Sequence, residues 1–425
     1  MNFSGKEQKP IAFFNFFIWL LAIIFFFFEF FLRVLPATFS QSIITSLNIS
    51  AQQFALIGSA YYLTYSLMQI PVGILIDQFG TRRLVTLAAA TCSIGALWFG
   101  YTESFIPAFI SRLMIGFGSS FGFVTLVVVT LNWLPKKYFA FFIGCGQFLG
   151  AIGPLLAGAP IAILLKDLHN NWRIIFLFIA IFGAILTLLF AIFMRDNPVP
   201  NDQPILHKDE SFLTNIKILL SVPQIWWIIT YAGFNYVALP LLGAFWGTAY
   251  LESRGFDKPS AAFMVSMIWV GLAAGSVLFG RFSDATRRRK PSIIICAALG
   301  IVGSLFILIT TSMNTYYLSF LFFIVGVAGS GQNISFALIA ERSPQYLHAT
   351  AFGINNTAIM AFAALIPPVV TSFMHNISQN KKLTEASFEQ GLIVIPVFFA
   401  ISLLITLFGI RETYCKQQDE IHEIF

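Results

Sequence analysis

Three ionisable side chains lie within otherwise apolar stretches of the sequence, where they could bind a charged solute or carry a proton. Glu29 is the only one of the 19 carboxylates that lies deep in such a stretch. Arg33 follows one helical turn later and would share the helix face of Glu29, and Arg112 lies at a comparable depth in another stretch. Because a charge in hydrocarbon is costly unless it is paired or hydrated, each of the three is a candidate functional residue.

The elements that position these residues must be membrane helices. The 425 residues are 57% hydrophobic and only 10% charged, whereas soluble domains carry roughly 25% charged residues. Apolar runs such as Phe13–Leu32 reach the ~20 residues that an α-helix needs to cross the hydrocarbon core. The composition therefore predicts an all-α membrane protein and excludes an ordinary soluble one. The net charge of +6 lies mainly in short loops, so it indicates membrane topology and not nucleic-acid binding.

Hydropathy and turn-forming residues predict twelve membrane spans in two similar halves. The predicted spans run near residues 13–36, 53–76, 84–101, 104–133, 138–165, 172–194, 223–250, 260–282, 291–311, 314–340, 349–373 and 391–410. The stretch between the sixth and seventh spans is rich in proline and charge, which is typical of a solvated connector. We therefore expect a first six-helix bundle over 1–194, a linker over 195–222, and a second bundle with a short tail over 223–425.

The distribution of basic residues predicts the orientation of the chain. With both termini in the cytoplasm, that side collects seventeen of the 25 basic residues and the opposite side six, while Arg33 and Arg112 lie within spans. Such an excess of Lys and Arg marks the cytoplasmic side. The compact loops favour a bacterial inner membrane, and we expect a monomer.

A loop between the second and third spans is repeated in the second half. It reads GILIDQFGTRR at 73–83, and 207 residues later GRFSDATRRRK occupies the matching place at 280–290. A second pair of similar segments, Pro135–Gly144 and Pro344–Gly353, follows the fourth and tenth spans. Duplication at half-length is a mark of transporters built from repeats.

The first of these loops resembles the G-x-L-x-D-x-x-G-x-R-R loop of the major facilitator superfamily, and the span plan resembles that family over the whole chain. Two further segments resemble family motifs, Arg112–Gly118 in the fourth span and Gly150–Gly158 in the fifth. The resemblance implies two pseudo-symmetric six-helix bundles that work by alternating access. It also implies that the loop latches the cytoplasmic side while the cavity faces outward.

The loop residues have physical properties that suit a latch. An aspartate at a helix end can face the positive N-terminus of a neighbouring helix, and the arginines can reach carboxylates or lipid phosphates. The glycines allow a tight turn and close helix approach. The alternative is a solvated loop whose arginines only obey the charge rule. The predicted gating residues are Gly73, Asp77, Gly80, Arg82, Arg83, Gly280, Asp284 and Arg287; the second copy lacks the glycine that follows the aspartate in the first.

The family resemblance implies that the first, fourth, seventh and tenth spans line a central cavity. Glu29, Arg33 and Arg112 would then surround one chamber with a summed charge of +1. Protonation of Glu29 would release a second positive charge, which would couple a proton to an anion. Alternatively, Glu29 and Arg33 form a purely structural pair, and Arg112 is structural as well.

Amide and phenol side chains of the second, fifth, seventh, tenth and eleventh spans belong to the same candidate lining and would suit a small polar solute. Each could equally form a hydrogen bond between helices. The candidates are Tyr61, Tyr65, Gln69, Gln147, Asn235, Tyr236, Gln332, Asn333, Asn355 and Asn356.

Arg33 within Phe31–Pro36 resembles the first-span arginine of the organophosphate and organic-anion branch, but the seventh span has no arginine. A carboxylate or zwitterion therefore fits better than a phosphate, and the chain also resembles amino-acid and dipeptide transporters. We expect a proton-coupled secondary importer that is not an enzyme and needs no cofactor, since the sequence shows neither an ATP-binding pattern nor metal-ligand spacing. The alternatives are a proton-driven multidrug effluxer and a membrane receptor or scaffold.

Overall fold

A computed structural model describes residues 13–134, 139–195, 212–344, 347–378 and 383–417. These residues form helices and connecting turns, and no strand occurs among them. Eleven helices in this part of the chain are long and apolar enough to cross a membrane. The prediction of an all-α membrane protein is confirmed.

Each predicted span is present as a helix or as consecutive helical segments. In the first half they are α1 (Phe13–Thr38), α2 (Ala51–Met68 and Pro71–Phe79), α3 (Thr81–Tyr101), α4 (Phe105–Ser119 and Phe121–Trp133), α5 (Phe139–Ala157 and Ala159–Asp167) and α6 (Trp172–Phe193). In the second half they are α7 (Pro223–Ser253, with a π-helical stretch at Leu241–Trp246), α8 (Lys258–Thr286), α9 (Lys290–Ile309), α10 (Thr315–Gly329 and Gly331–Glu341), α11 (His348–Ile377) and α12 (Glu385–Gly409). Short helices at Ser40–Leu47 and Phe212–Leu220 precede α2 and α7.

Of the twelve spans, α2 alone is not among these eleven long apolar helices, because its helix is interrupted before Pro71. A proline has no N–H group and therefore cannot continue the hydrogen-bond ladder of the helix. The segment before the break is also rich in polar residues, which lowers its hydropathy.

One helix crossing is repeated in both halves. A Cβ atom at Gly116 of α4 would lie closer than 3.0 Å to the carbonyl oxygen of Tyr61 in α2. The same holds for Gly326 of α10 and the carbonyl oxygen of Ile268 in α8. Glycine at these positions lets two backbones meet without an intervening side chain. The two halves thus share one kind of packing contact.

The two halves meet along an aromatic seam near the start of α2. The rings of Phe54 and Trp246 lie 5.5 Å apart, and those of Tyr62 and Phe245 are stacked at 6.0 Å. A Cβ atom at Gly58 would collide with the Phe245 ring. This seam closes one end of the space between the halves.

The opposite end of the bundle carries the two repeated loops at residues 73–83 and 280–290. We call this end the basic face. Gly80 adopts a φ of +83°, which is the tight turn expected there. The close helix approach expected at Gly73 and Gly280 is not found, because a Cβ atom at either position would meet nothing within 4 Å. Both glycines face open space in this conformation.

Candidate functional site

Glu29 and Arg33 form a buried ion pair on α1. Arg33 Nη2 lies 3.0 Å from Glu29 Oε2 and 3.3 Å from Oε1. The side chains are 0% and 2% exposed, respectively. The Tyr61 hydroxyl of α2 donates to Glu29 Oε2 at 2.9 Å and accepts from Arg33 Nε at 3.3 Å. The predicted helical-turn spacing thus produces a closed triad of carboxylate, guanidinium and phenol.

Aromatic rings surround the Arg33 guanidinium. Its central carbon lies 4.3 Å from the ring centre of Phe30, 4.7 Å from that of Tyr65 and 5.7 Å from that of Tyr61. Tyr236 of α7 also interacts electrostatically with Arg33 and brings the second half of the chain to the site. Such rings attract a cation through their negative faces. The ring faces therefore stabilise the positive charge of Arg33.

Arg112 of α4 binds the backbone of α1. Its Nη1 donates to the carbonyl oxygen of Leu32 at 2.9 Å, and its Nη2 lies 3.5 Å from that of Arg33. Pro36 lies inside α1 and lacks the N–H group that would otherwise bond the Leu32 carbonyl four residues earlier. Arg112 therefore satisfies a carbonyl that the proline leaves free, and its guanidinium also lies 4.8 Å from the Tyr61 ring centre.

The three predicted charges therefore come together, with a summed charge of +1 when Glu29 is ionised. Arg112 has no carboxylate within ion-pair distance among the residues that the structure describes. A buried charge without a counter-ion is unfavourable. With Glu29 ionised, the net positive charge of the site is therefore uncompensated within the described residues.

Several buried polar atoms around the site lack a partner within the described residues. They are the Tyr62 hydroxyl, Arg112 Nε and both side-chain amide atoms of Asn235. Buried groups of this kind usually bond to a ligand or water. Tyr62 is not among the predicted residues, because the four-residue spacing places Tyr61 and Tyr65 on another helix face; its adjacency to Tyr61 is the available signal.

Asn235 and Tyr236 are neighbours in sequence but point in different directions. Tyr231 lies one turn before Asn235 and contacts the position of Gly331, and Leu239 lies one turn after it and contacts Gly329. Asn235 shares their helix face, which is directed at the break in α10. Tyr236 instead faces Arg33.

Several of the other predicted polar residues bond to further side chains. Asn333 donates to Ser276 at 2.6 Å and pairs with Gln332. Asn355 donates to Ser335 at 2.7 Å. These contacts are of the kind that joins helices, and a role of these amides in the chamber stays a prediction.

Asn356 of α11 donates to Gln69 of α2 at 2.6 Å, which links the two halves. The adjacent Ser66 hydroxyl donates to the Thr357 carbonyl at 2.8 Å. The side chain of Gln147 lies outside the described part of the structure.

The first gating loop makes a contact within its own half. Arg82 donates to the Ala191 carbonyl at the end of α6 at 2.5 Å, where the helix dipole favours a cation. Arg83 is exposed. The side chain of Asp77 lies outside the described residues.

The second gating loop is held by Arg289, which was not predicted. Arg289 pairs with Asp284 at 2.6 Å and with Glu341 of α10 at 2.7 Å. Burial alone would lower the pKa of Arg289, but the hydrogen bonds from Arg289 to Glu341 and Asp284 raise it above its ordinary value. Arg287 adopts a φ of +51° and ends α8. This loop is therefore fixed to the second half.

Comparison with known proteins identifies the fold. The family model described as Major Facilitator Superfamily matches residues 19–368. The chain belongs to the major facilitator superfamily. It is a multi-pass membrane transporter of this family.

The chain is similar to curated members of the superfamily over most of its length. It is 22% identical to the probable sulfoacetate transporter SauU of Cupriavidus necator, over 77% of this chain and 80% of the relative. It is 24% identical to the cis,cis-muconate transport protein of Acinetobacter baylyi, over 89% and 90%. Among solved structures, it resembles a bacterial homologue of the human lysosomal transporter Spinster in an inward-facing, unoccupied conformation, with a TM-score of 0.75, 18% identity and coverage of 94% and 97%.

Proposed function

We propose that the protein is a proton-coupled secondary transporter of a small organic acid, in which Glu29 carries the proton and Arg33 receives the carboxylate. The observation that carries this proposal is the buried pair of Glu29 and Arg33. In this state the Glu29 carboxylate occupies the hydrogen-bonding edge of the arginine that a substrate carboxylate would need.

Competition between the two carboxylates would provide the coupling. When Glu29 takes up a proton it loses its charge, and its attraction to Arg33 weakens. A substrate carboxylate then replaces it as the partner of the guanidinium. When the substrate leaves, Arg33 again favours the ionised form of Glu29, and the proton departs. Proton and anion thus travel together.

The charge of the site supports an organic acid as the substrate class. The summed charge of Glu29, Arg33 and Arg112 is +1 with Glu29 ionised and +2 after protonation. Two relatives are named for sulfoacetate and cis,cis-muconate, which are both doubly charged organic anions. The sequence alone suggested an amino acid, a dipeptide or an organic acid, and these relatives favour the organic acid among the three.

The multidrug effluxer is the weaker alternative. A buried cluster with a positive sum repels the lipophilic cations that such effluxers carry. The glycines of the fifth-span motif also have a packing role, since a Cβ atom at Gly150 or Gly153 would collide with Phe26 or with the α1 backbone at Phe27. The motif is therefore explained without drug transport.

Alternating access is supported by the contrast between the two ends of the bundle. The aromatic seam closes the end at Phe54 and Trp246, whereas Gly73 and Gly280 on the basic face are not packed against a neighbour. We infer that the triad, which is buried in this conformation, opens towards the basic face, which positive-inside topology places in the cytoplasm.

The test uses purified protein in proteoliposomes with an imposed pH gradient and radiolabelled muconate or sulfoacetate. Wild type should accumulate the anion against its gradient. Glu29→Gln should lose this accumulation and keep exchange of internal for external substrate, because Gln cannot cycle a proton but leaves Arg33 available. Full gradient-driven accumulation by Glu29→Gln would contradict the coupling role. Thermal stabilisation of wild type by lipophilic cations alone would contradict the anion site.

A further inference from the structure

A second basic site lies on the basic face, away from the central triad. A pocket of about 210 Å³ opens between the start of α9 and the chain that follows α12. It is lined by Arg288, Lys290, Pro291, Ile294, Glu412 and Tyr414. Arg288 is exposed and Lys290 is half-buried. The pocket therefore combines two cationic side chains with a small apolar wall.

The carboxylate in this pocket, Glu412, is hydrogen-bonded to backbone N–H groups. Glu412 Oε1 accepts the N–H groups of Arg289 at 2.8 Å and Thr413 at 3.0 Å, and Oε2 accepts that of Lys290 at 3.0 Å. Glu412 thus caps the positive N-terminus of α9. Its oxygens are used for this purpose and do not pair with Arg288.

The lysine, by contrast, keeps donors for a ligand. Within the described residues, Lys290 Nζ makes one hydrogen bond, to the Leu407 carbonyl at 3.3 Å. A lysine ammonium carries three donors. Lys290 can therefore hold a further acceptor while it remains bound to the end of α12.

The chain after α12 is held in an unusual conformation at this pocket. Tyr414 and Cys415 both adopt a φ of +56°, which costs roughly 1–2 kcal/mol for each non-glycine residue. The segment is fixed by Thr413, which donates to Glu341, and by the Cys415 thiol, which contacts the Ser283 carbonyl. Backbone strain that is held in this way often marks a ligand clamp. The chain after α12, which forms one wall of the pocket, is therefore held in a defined conformation by these contacts.

We propose that this pocket binds the phosphate headgroup of an anionic phospholipid. Ile295 on α9 and Phe408 on α12 are close in sequence to the pocket residues and are large, exposed apolar side chains, as expected of side chains that face the bilayer. Because α9 is long and apolar enough to span the membrane, Arg288 and Lys290 at its start would lie at the level of the lipid phosphates, and Pro291 and Ile294 could contact the glycerol and upper acyl region. A free phosphate would use the same two cations but not this apolar wall.

The experiment measures retention of phosphatidylglycerol and phosphatidylcholine by the full-length protein after reconstitution and purification, using native mass spectrometry. Wild type should retain phosphatidylglycerol preferentially. Arg288→Gln/Lys290→Gln should bind it about thirtyfold more weakly, from the loss of two surface-level cations. The matched control, Arg195→Gln/Lys217→Gln, removes two charges near the same face outside the pocket and should bind as wild type does. Arg288→Lys/Lys290→Arg keeps the charge and should retain binding.

Three results would overturn the proposal. The first is equal retention of both lipids by wild type, a measurement that needs no variant to fold. The second is unchanged phosphatidylglycerol binding by Arg288→Gln/Lys290→Gln, or an equal loss in the control pair. The third is displacement of the lipid by millimolar inorganic phosphate, which would assign the pocket to a free anion. None of these measurements depends on transport, so they leave the proposed function untouched.

Discussion

The link between Arg112 and Pro36 can be tested by a double-mutant cycle. Pro36→Ala restores an N–H group at position 36 and gives the Leu32 carbonyl a partner within α1. If Arg112 mainly satisfies this carbonyl, its replacement should cost less in the Pro36→Ala background. A hydrogen bond from a charged group contributes roughly 1.5–3 kcal/mol, and interhelical hydrogen bonds in membranes contribute about 0.6 kcal/mol on average, with a maximum near 1.7.

These values give an expected size for the effect. Arg112→Met should destabilise wild type by about 2 kcal/mol. It should destabilise the Pro36→Ala protein by about 1 kcal/mol less. The assay is reversible unfolding in detergent, with all four proteins measured together. Pro154→Ala provides the matched control, because Pro154 also lies inside a membrane helix but frees a carbonyl that Arg112 does not contact.

Additive effects of Arg112→Met and Pro36→Ala, within about 0.5 kcal/mol, would refute this reasoning. Coupling of the same size with Pro154→Ala would do so as well. Substrate binding by the same four proteins separates the two roles of Arg112. A purely structural arginine should leave binding by the Pro36→Ala/Arg112→Met protein largely intact, whereas a ligand contact should be lost in both backgrounds.

Other predictions concern contacts around the site and the loops. Gly122→Ala should lower gradient-driven uptake in proteoliposomes, because the new Cβ would lie 2.8 Å from Glu29 Cγ and displace the carboxylate; unchanged uptake would argue against a strict position for Glu29. Arg289→Ala should destabilise the protein by about 2 kcal/mol in unfolding measurements, since it leaves Glu341 without its cation, and Arg289→Lys should recover part of this loss. Asp77→Asn should raise the cysteine accessibility of the cavity from the basic face if the loop acts as a latch, and an unchanged labelling rate would count against that role.

The membrane helices were predictable because their signal is local. A run of about 20 apolar residues can satisfy its backbone in hydrocarbon only as a helix, and the predicted spans recur in order. The break in α2 before Pro71 is also a local effect. The open surroundings of Gly73 and Gly280 were not predictable, because they depend on how the two halves are disposed.

The central site was predictable only in part. The pair of Glu29 and Arg33 follows from their spacing on one helix. The contact between Arg112 and Leu32 joins residues eighty positions apart and could not be read from local sequence. The sequence does show, however, that Pro36 leaves the Leu32 carbonyl without its usual helical donor. Asn355 and Asn356 have different partners because successive residues on a helix point about 100° apart; one binds Ser335 and the other reaches Gln69. These partners lie on other helices and could not be read from the sequence.

The glycine contacts between α2 and α4 and between α8 and α10 constrain how the protein can move. Where one backbone touches another directly, no side-chain rotamer is available to absorb a displacement. The two helices of each pair must therefore move together as a rigid body. The change of shape has to be accommodated elsewhere, at seams where side chains separate the helices, such as the pairing of Gln69 with Asn356. A bulky residue at Gly116 or Gly326 would therefore impede the change between conformations, and at Gly116 it would also press on the backbone of Tyr61 in the triad.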